Sequence, residues 1–121
     1  MAQEITATVG LSVSKTNGPV FTYGTQAQKI DLSGSRYSAG VQDIGTTVEQ
    51  VVIASDMSTA GWCVFKNLDA TNYVEIGASN GTPYFLRLNA GESCVVRLTT
   101  TTFYAKANTS AVKLQFMLLE S

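Results

Sequence analysis

Apolar and polar residues alternate with a period of two along most of this chain. Ile5, Ala7, Val9, Leu11 and Val13 are interleaved with Thr6, Thr8, Gly10, Ser12 and Ser14. The spacing predicts one long half-buried strand with its odd positions facing inward. Lys15-Thr16-Asn17-Gly18-Pro19 ends it, because Asn-Gly tolerates positive φ and Pro cannot donate to a ladder. Shorter strands are predicted at Val20 to Tyr23, around Ile30 and Leu32, and at Tyr37 to Ile44. From Thr46 to Ala54 alternation gives way to the β-branched run Val48, Val51, Val52 and Ile53. Such a run fits a strand covered on both faces or carrying a bulge. Ser55 or Asp56 offers a cap for one helical turn over Ser55 to Ala60.

The second half repeats strand and turn more regularly. Strands are predicted at Trp62 to Leu68, Tyr73 to Ile76, Tyr84 to Leu88, Ser93 to Leu98, Phe103 to Ala107 and Ala111 to Leu119. Between them lie Asp69-Ala70-Thr71-Asn72, the loop Gly77 to Pro83, Asn89-Ala90-Gly91-Glu92 and Asn108-Thr109-Ser110. About nine or ten short strands at this spacing, with no amphipathic helix, indicate an antiparallel sandwich or barrel. The expected fold is all-β, an antiparallel jelly-roll-like β-sandwich forming a single domain over residues 1–121.

Composition narrows what such a fold does. At 121 residues the chain has the length of one domain, and roughly two-thirds of its surface is expected to be buried on folding. Only 14% of residues are charged and the net charge is −1, so the chain carries no electrostatic footprint for nucleic acid or an anionic membrane. There is no histidine, which removes Ser-His-Asp and Cys-His catalysis, His-ligated zinc and imidazole switches. The N-terminal Met1-Ala2-Gln3-Glu4-Ile5 has no basic region or apolar run, so it does not read as a signal peptide. Cys63 and Cys94 lack CxxC spacing and read as small hydrophobes on strands.

Candidate chemistry is sparse. Asp43 and Glu49 are the nearest approach to a glycosidase-like carboxylate pair, but they read more simply as solvated strand ends. Asp69, Asn72 and Glu75 are spaced like part of a calcium loop, yet Asx residues there are ordinary turn formers. Asn80-Gly81-Thr82 and Asn108-Thr109-Ser110 match the glycosylation sequon and read as turns. Trp62 and Phe65 stand three apart on a strand, so they face opposite sides. The adjacent pairs Tyr84/Phe85 and Phe103/Tyr104 must each present one ring to each face. Phe116-Met117-Leu118-Leu119 is apolar on both faces. A terminal strand of that kind is either central in a sheet or clamped against another chain.

Three stretches carry a resemblance: Phe65 to Gly77, Tyr84 to Glu92, and Tyr104 to Gln115. Together they resemble small β-sandwich virion structural proteins of tailed bacteriophages, of the head decoration or cement protein type. The resemblance spans roughly residues 60–121 as strand-turn-strand units. It implies a non-enzymatic capsid decoration protein that binds between capsomers and stabilises the head. The implied partners are copies of itself, as a homo-oligomer and most simply a homotrimer, and the major capsid protein. The implied location is the capsid surface of the virion, after synthesis in the host cytoplasm. No cofactor, metal, nucleic acid or membrane is expected. The residues expected at an oligomer or capsid interface are Ile5, Trp62, Tyr104, Phe116, Met117 and Leu119. The alternative is a tail- or fibre-associated module, or a lectin-like one that binds glycan through Trp62 and surface tyrosines.

Overall fold

The computed structural model describes residues 3–32, 34, 36–78 and 83–120. The sequon Asn80-Gly81-Thr82 and most of its loop lie outside the described residues. The chain divides into two compact units, Met1–Ser33 and Gly34–Ser121.

The first unit is an antiparallel hairpin of β1 (Ile5–Ser14) and β2 (Val20–Ile30). Its turn has the chemistry the sequence supplies: Lys15 N donates to Pro19 O at 3.0 Å, and Asn17 takes a positive φ of 60°. The two short strands expected at Val20 to Tyr23 and near Ile30 are one continuous strand. A bulge lies between the pairs Val9↔Gln26 and Leu11↔Tyr23. One extra residue on β2 reverses its side-chain parity there. Tyr23 and Phe21 therefore join Leu11 and Val13 on one face, although the alternation along β2 looks broken in sequence. The expectation that the odd positions of β1 face inward is corrected. Ala7 is buried, but Leu11 is 66% exposed and Val9 and Val13 are exposed with it.

The second unit is a β-sandwich. Its strands are β3 (Tyr37–Ile44), β4 (Glu49–Gln50), β5 (Ala60–Asn67), β6 (Val74–Gly77), β7 (Tyr84–Leu88), β8 (Ser93–Arg97), β9 (Tyr104–Ala107) and β10 (Val112–Glu120). They form two antiparallel sheets, ordered β3-β10-β5-β8 and β4-β9-β6-β7. Successive strands change sheet at every connection except the β6–β7 hairpin. Such crossing in an eight-stranded, two-sheet sandwich is the jelly roll, as expected from the sequence.

The core lies between the sheets. Along β10 the buried Val112, Leu114, Phe116 and Leu118 alternate with the exposed Lys113, Gln115 and Met117. Phe65 on β5 and Phe103 ahead of β9 meet edge to face, with ring centroids 5.5 Å apart, and join the two sheets. Ala105 and Ala107 on β9 are fully buried where larger side chains would hold the sheets apart.

The strand expected over Thr46 to Ala54 is corrected to the two residues Glu49 and Gln50. Beyond them the chain leaves one sheet for the other, and side chains of β3 take its amides. Val52 N donates to Gln42 Oε1 at 2.8 Å, and Ala54 N donates to Ser38 Oγ at 3.0 Å. The helical turn expected at Ser55 to Ala60 is also corrected. A turn closed by Met57 N to Ala54 O at 3.2 Å takes its place, because the next residues must re-enter as β5.

Candidate interaction surface

The two sheets turn very different outer faces to solvent. Outside β3-β10-β5-β8, register places Ala39, Met117, Val64 and Val95 in one row across all four strands. Met117 is 48% exposed, and Val64 and Val95 are exposed beside it. On one side of this row Tyr37 stands opposite Leu119, which faces an irregularity at Gly61 and Trp62. On the other side come Val41, Gln115, Lys66 and Ser93, and beyond them Lys113 pairs with Asp43 at 2.8 Å. Charge thus flanks this row, at Lys66 on one side and Arg97 over Trp62 on the other, and the row itself is apolar.

Outside β4-β9-β6-β7 the pattern is ionic. Glu75 pairs with Arg87 at 3.1 Å, Lys106 lies in the same row, and the Arg87 guanidinium stacks on Tyr73 at 4.0 Å. Phe85 is the large exposed ring of that face.

Against these faces the sequence-predicted interface residues fall into four places. Trp62, Met117 and Leu119 share the apolar face. Tyr104 lies on the opposite sheet, half-buried, and Ile5 lies on the hairpin, where it pairs with Ile30. Phe116 turns inward and is 5% exposed. It also lines a groove of about 500 Å³ over Gly40, with Ser38, Gln42 and Val52. The surface contribution of β10 therefore passes to Met117 and Leu119. Trp62 is half-buried under the Arg97 guanidinium at 6.0 Å, and its Nε1 has no hydrogen-bond partner among the described residues.

The remaining candidates hold structure together. Asp43 is taken by Lys113, while Glu49 accepts from Gly45 N at 2.9 Å and from Gln42 Nε2 at 3.2 Å. Asp69 Oδ2 accepts from Thr71 N at 3.0 Å and Asn72 N at 2.7 Å. Those two amides hold its carboxyl below the usual carboxylate range, and they make it the turn former that its position suggested. Asn108 accepts from Tyr73 N at 2.9 Å and Thr109 Oγ1 donates to Asn72 Oδ1 at 2.7 Å, so that sequon ties the connection after β9 to the turn before β6. Cys63 and Cys94 are free thiols, consistent with their reading as small hydrophobes. Burial, with Cys94 nearby, pushes the Cys63 thiol up to about 12.

Two polar clusters escaped the sequence. Asn67 is fully buried, yet its amide donates to Asn72 O at 2.8 Å and Leu88 O at 3.0 Å while accepting from Asp69 N at 2.9 Å. Glu120, also buried, accepts from Ser58 Oγ at 3.2 Å and pairs with Arg36 at 3.5 Å. Arg36 reaches Asp56 as well, at 3.3 Å. A Cβ on Gly34 would meet Glu120 atoms at 2.8 Å, so only glycine fits against that cluster.

Comparison of the chain with known protein families, curated proteins and solved structures finds no match.

Proposed function

We propose that this protein is a structural component of a tailed-phage virion, a capsid decoration (cement) protein that works as a homotrimer and stabilises the head by binding between capsomers. The observation that carries the reading is the apolar, charge-poor face crossing all four strands of β3-β10-β5-β8. Exposed apolar areas of that breadth on a soluble domain mark contacts with other proteins. Jelly rolls recur in capsid and lectin domains, an analogy that favours the reading without carrying it. A cement protein needs no chemistry. It needs a rigid body, a surface for its own copies and a surface for the shell. Three weak shell contacts on one rigid trimer bind far more tightly than one, by effective concentration alone.

The glycan-binding alternative asks Trp62 to stack on sugar, but its ring already lies half-buried beneath Arg97. The deciding experiment adds the purified chain to expanded heads of a tailed phage that encodes it, prepared without it. Saturable co-sedimentation with the heads, and greater resistance of those heads to heat, are expected. Absence of binding to heads, labelling of tails alone in electron micrographs, or glycan-array binding abolished by Trp62→Ala would overturn the proposal.

A further inference from the structure

The β1–β2 hairpin carries an apolar face that the proposed assembly has not yet used. Val9, Leu11, Val13, Phe21 and Tyr23 share one side of its distal half, and all five are exposed. None is charged, while the other side offers Thr6, Thr8, Ser12, Ser14 and Thr22. A two-stranded hairpin is marginal in water by itself. Folding one with its aromatic side facing solvent makes sense when something covers that side.

We propose that the hairpin is an exchange arm, and that its apolar face docks on the outer face of β3-β10-β5-β8 of a second copy of this chain. The inference rests on the homo-oligomer in the proposed function and names the surfaces that build it. Area selects this occupant. From their fractional exposures, the five arm side chains offer roughly 450 Å², taking side-chain areas on the order of 150–250 Å². Tyr37, Val41, Val64, Val95 and Met117 on the sheet offer a similar amount. A subunit that gives its arm to one neighbour and receives an arm on its sheet covers both of its apolar faces, about 900 Å² in all; a two-fold pair exchanging arms puts all of that in one interface, close to the ~800 Å² per partner of a stable one, and a three-fold ring divides it between two contacts. Arms packed only on arms bury about half of that, and leave the sheet row uncovered. Dimensions agree: the apolar stretch from Val9 to Val13 spans about 13 Å along β1, against about 15 Å between the first and last of four paired strands. The arm's apolar side carries no charge, so nothing on it repels the Lys66 and Arg97 that flank the row.

The test uses the full chain. Light scattering should give an oligomer for the wild type and monomers for Leu11→Asp and Met117→Asp, with strand circular dichroism retained in both. A monomeric wild type, or either folded variant keeping the wild-type mass, overturns the inference. Both positions are solvent-exposed, and Leu11→Asn and Met117→Gln repeat the test should an aspartate prevent folding. Cross-linking identifies the mate: chains with Leu11→Cys and chains with Met117→Cys, co-refolded, should form an inter-chain disulfide only when mixed, since both native thiols face the core. A disulfide within Leu11→Cys chains alone means that arms pair with arms, and one within Met117→Cys chains alone means that sheets pair with sheets. Either result overturns the exchange, as does the absence of cross-linking in every sample. A monomer that still co-sediments with expanded heads would sink the arm exchange and leave head binding standing. An oligomer that ignores heads would do the reverse.

Discussion

At the scale of single residues, burial decides what each polar or reactive group does. Cys63 sits on the inner side of β5 opposite Val96, with Cys94 opposite Phe65. In that setting the neutral thiol costs little, while the thiolate loses its hydration. The folded value, about 12, therefore stands above the ordinary 9.0. The sign follows: the thiol's stabilisation is complete below pH 9 and is lost as pH rises from there toward 12. Urea midpoints measured from about pH 8 upward should fall more steeply for the wild type than for Cys63→Ala, even though the alanine variant starts lower from its cavity. Parallel curves would show that Cys63 ionises as freely in the folded chain as in the unfolded one. Asn67 follows the same rule of burial with the opposite chemistry, since its amide finds two carbonyls and one N–H. Nothing in the sequence marks it, because it falls inside the predicted strand Trp62 to Leu68 and its partner Leu88 lies on another strand.

At the scale of elements, alternation was readable wherever a strand had one face in the core and one outside. Tyr84–Leu88 matches its predicted ends for that reason, Tyr37–Ile44 matches despite a pattern that Gly40 weakens, and β10 differs by one residue at each end. Alternation failed in three places, each with a local cause. In β2 a bulge switches parity midway. After β4 the amides that a strand would spend on a ladder go to Gln42 and Ser38. In β1 the pattern correctly sorted one apolar face from one polar face, but sorting cannot tell whether the apolar face is covered by its own chain. The interface residues were legible only as far as face could be assigned: Phe116 and Met117 are neighbours in sequence with opposite fates. Phe116→Ala should destabilise the sandwich by about 3–5 kcal/mol, the cost of emptying a buried aromatic site. Met117→Ala should change it by no more than about 0.5 kcal/mol, as at an exposed position, while weakening self-association. Chemical denaturation at a concentration that keeps the variants dissociated separates the two. Equal losses at both positions would mean that the outer face of β10 is part of the fold's own support.

At the scale of the whole molecule, the two sandwich faces make opposite forecasts about how assembly responds to salt. Ions screen exposed charges within about 10 Å at 0.1 M and about 3 Å at 1 M, so a contact built on Glu75, Arg87 and Lys106 should loosen steadily as sodium chloride is raised. A contact built on Met117, Val64 and Val95 has no charge to screen. Burial of apolar side chains is strengthened by sulfate, which is excluded from protein surfaces, and it gives a negative heat-capacity change on association. Self-association measured by sedimentation should accordingly be unchanged between about 0.1 and 1 M sodium chloride, tighten in ammonium sulfate, and grow more exothermic with temperature. The same insensitivity would suit the proposed capsid role, which asks for a contact that holds through changes of ionic strength. Dissociation by sodium chloride, with Lys106→Glu mimicking it and Met117→Asp leaving the mass unchanged, would move the interface to the β4-β9-β6-β7 face and leave the apolar row without a role.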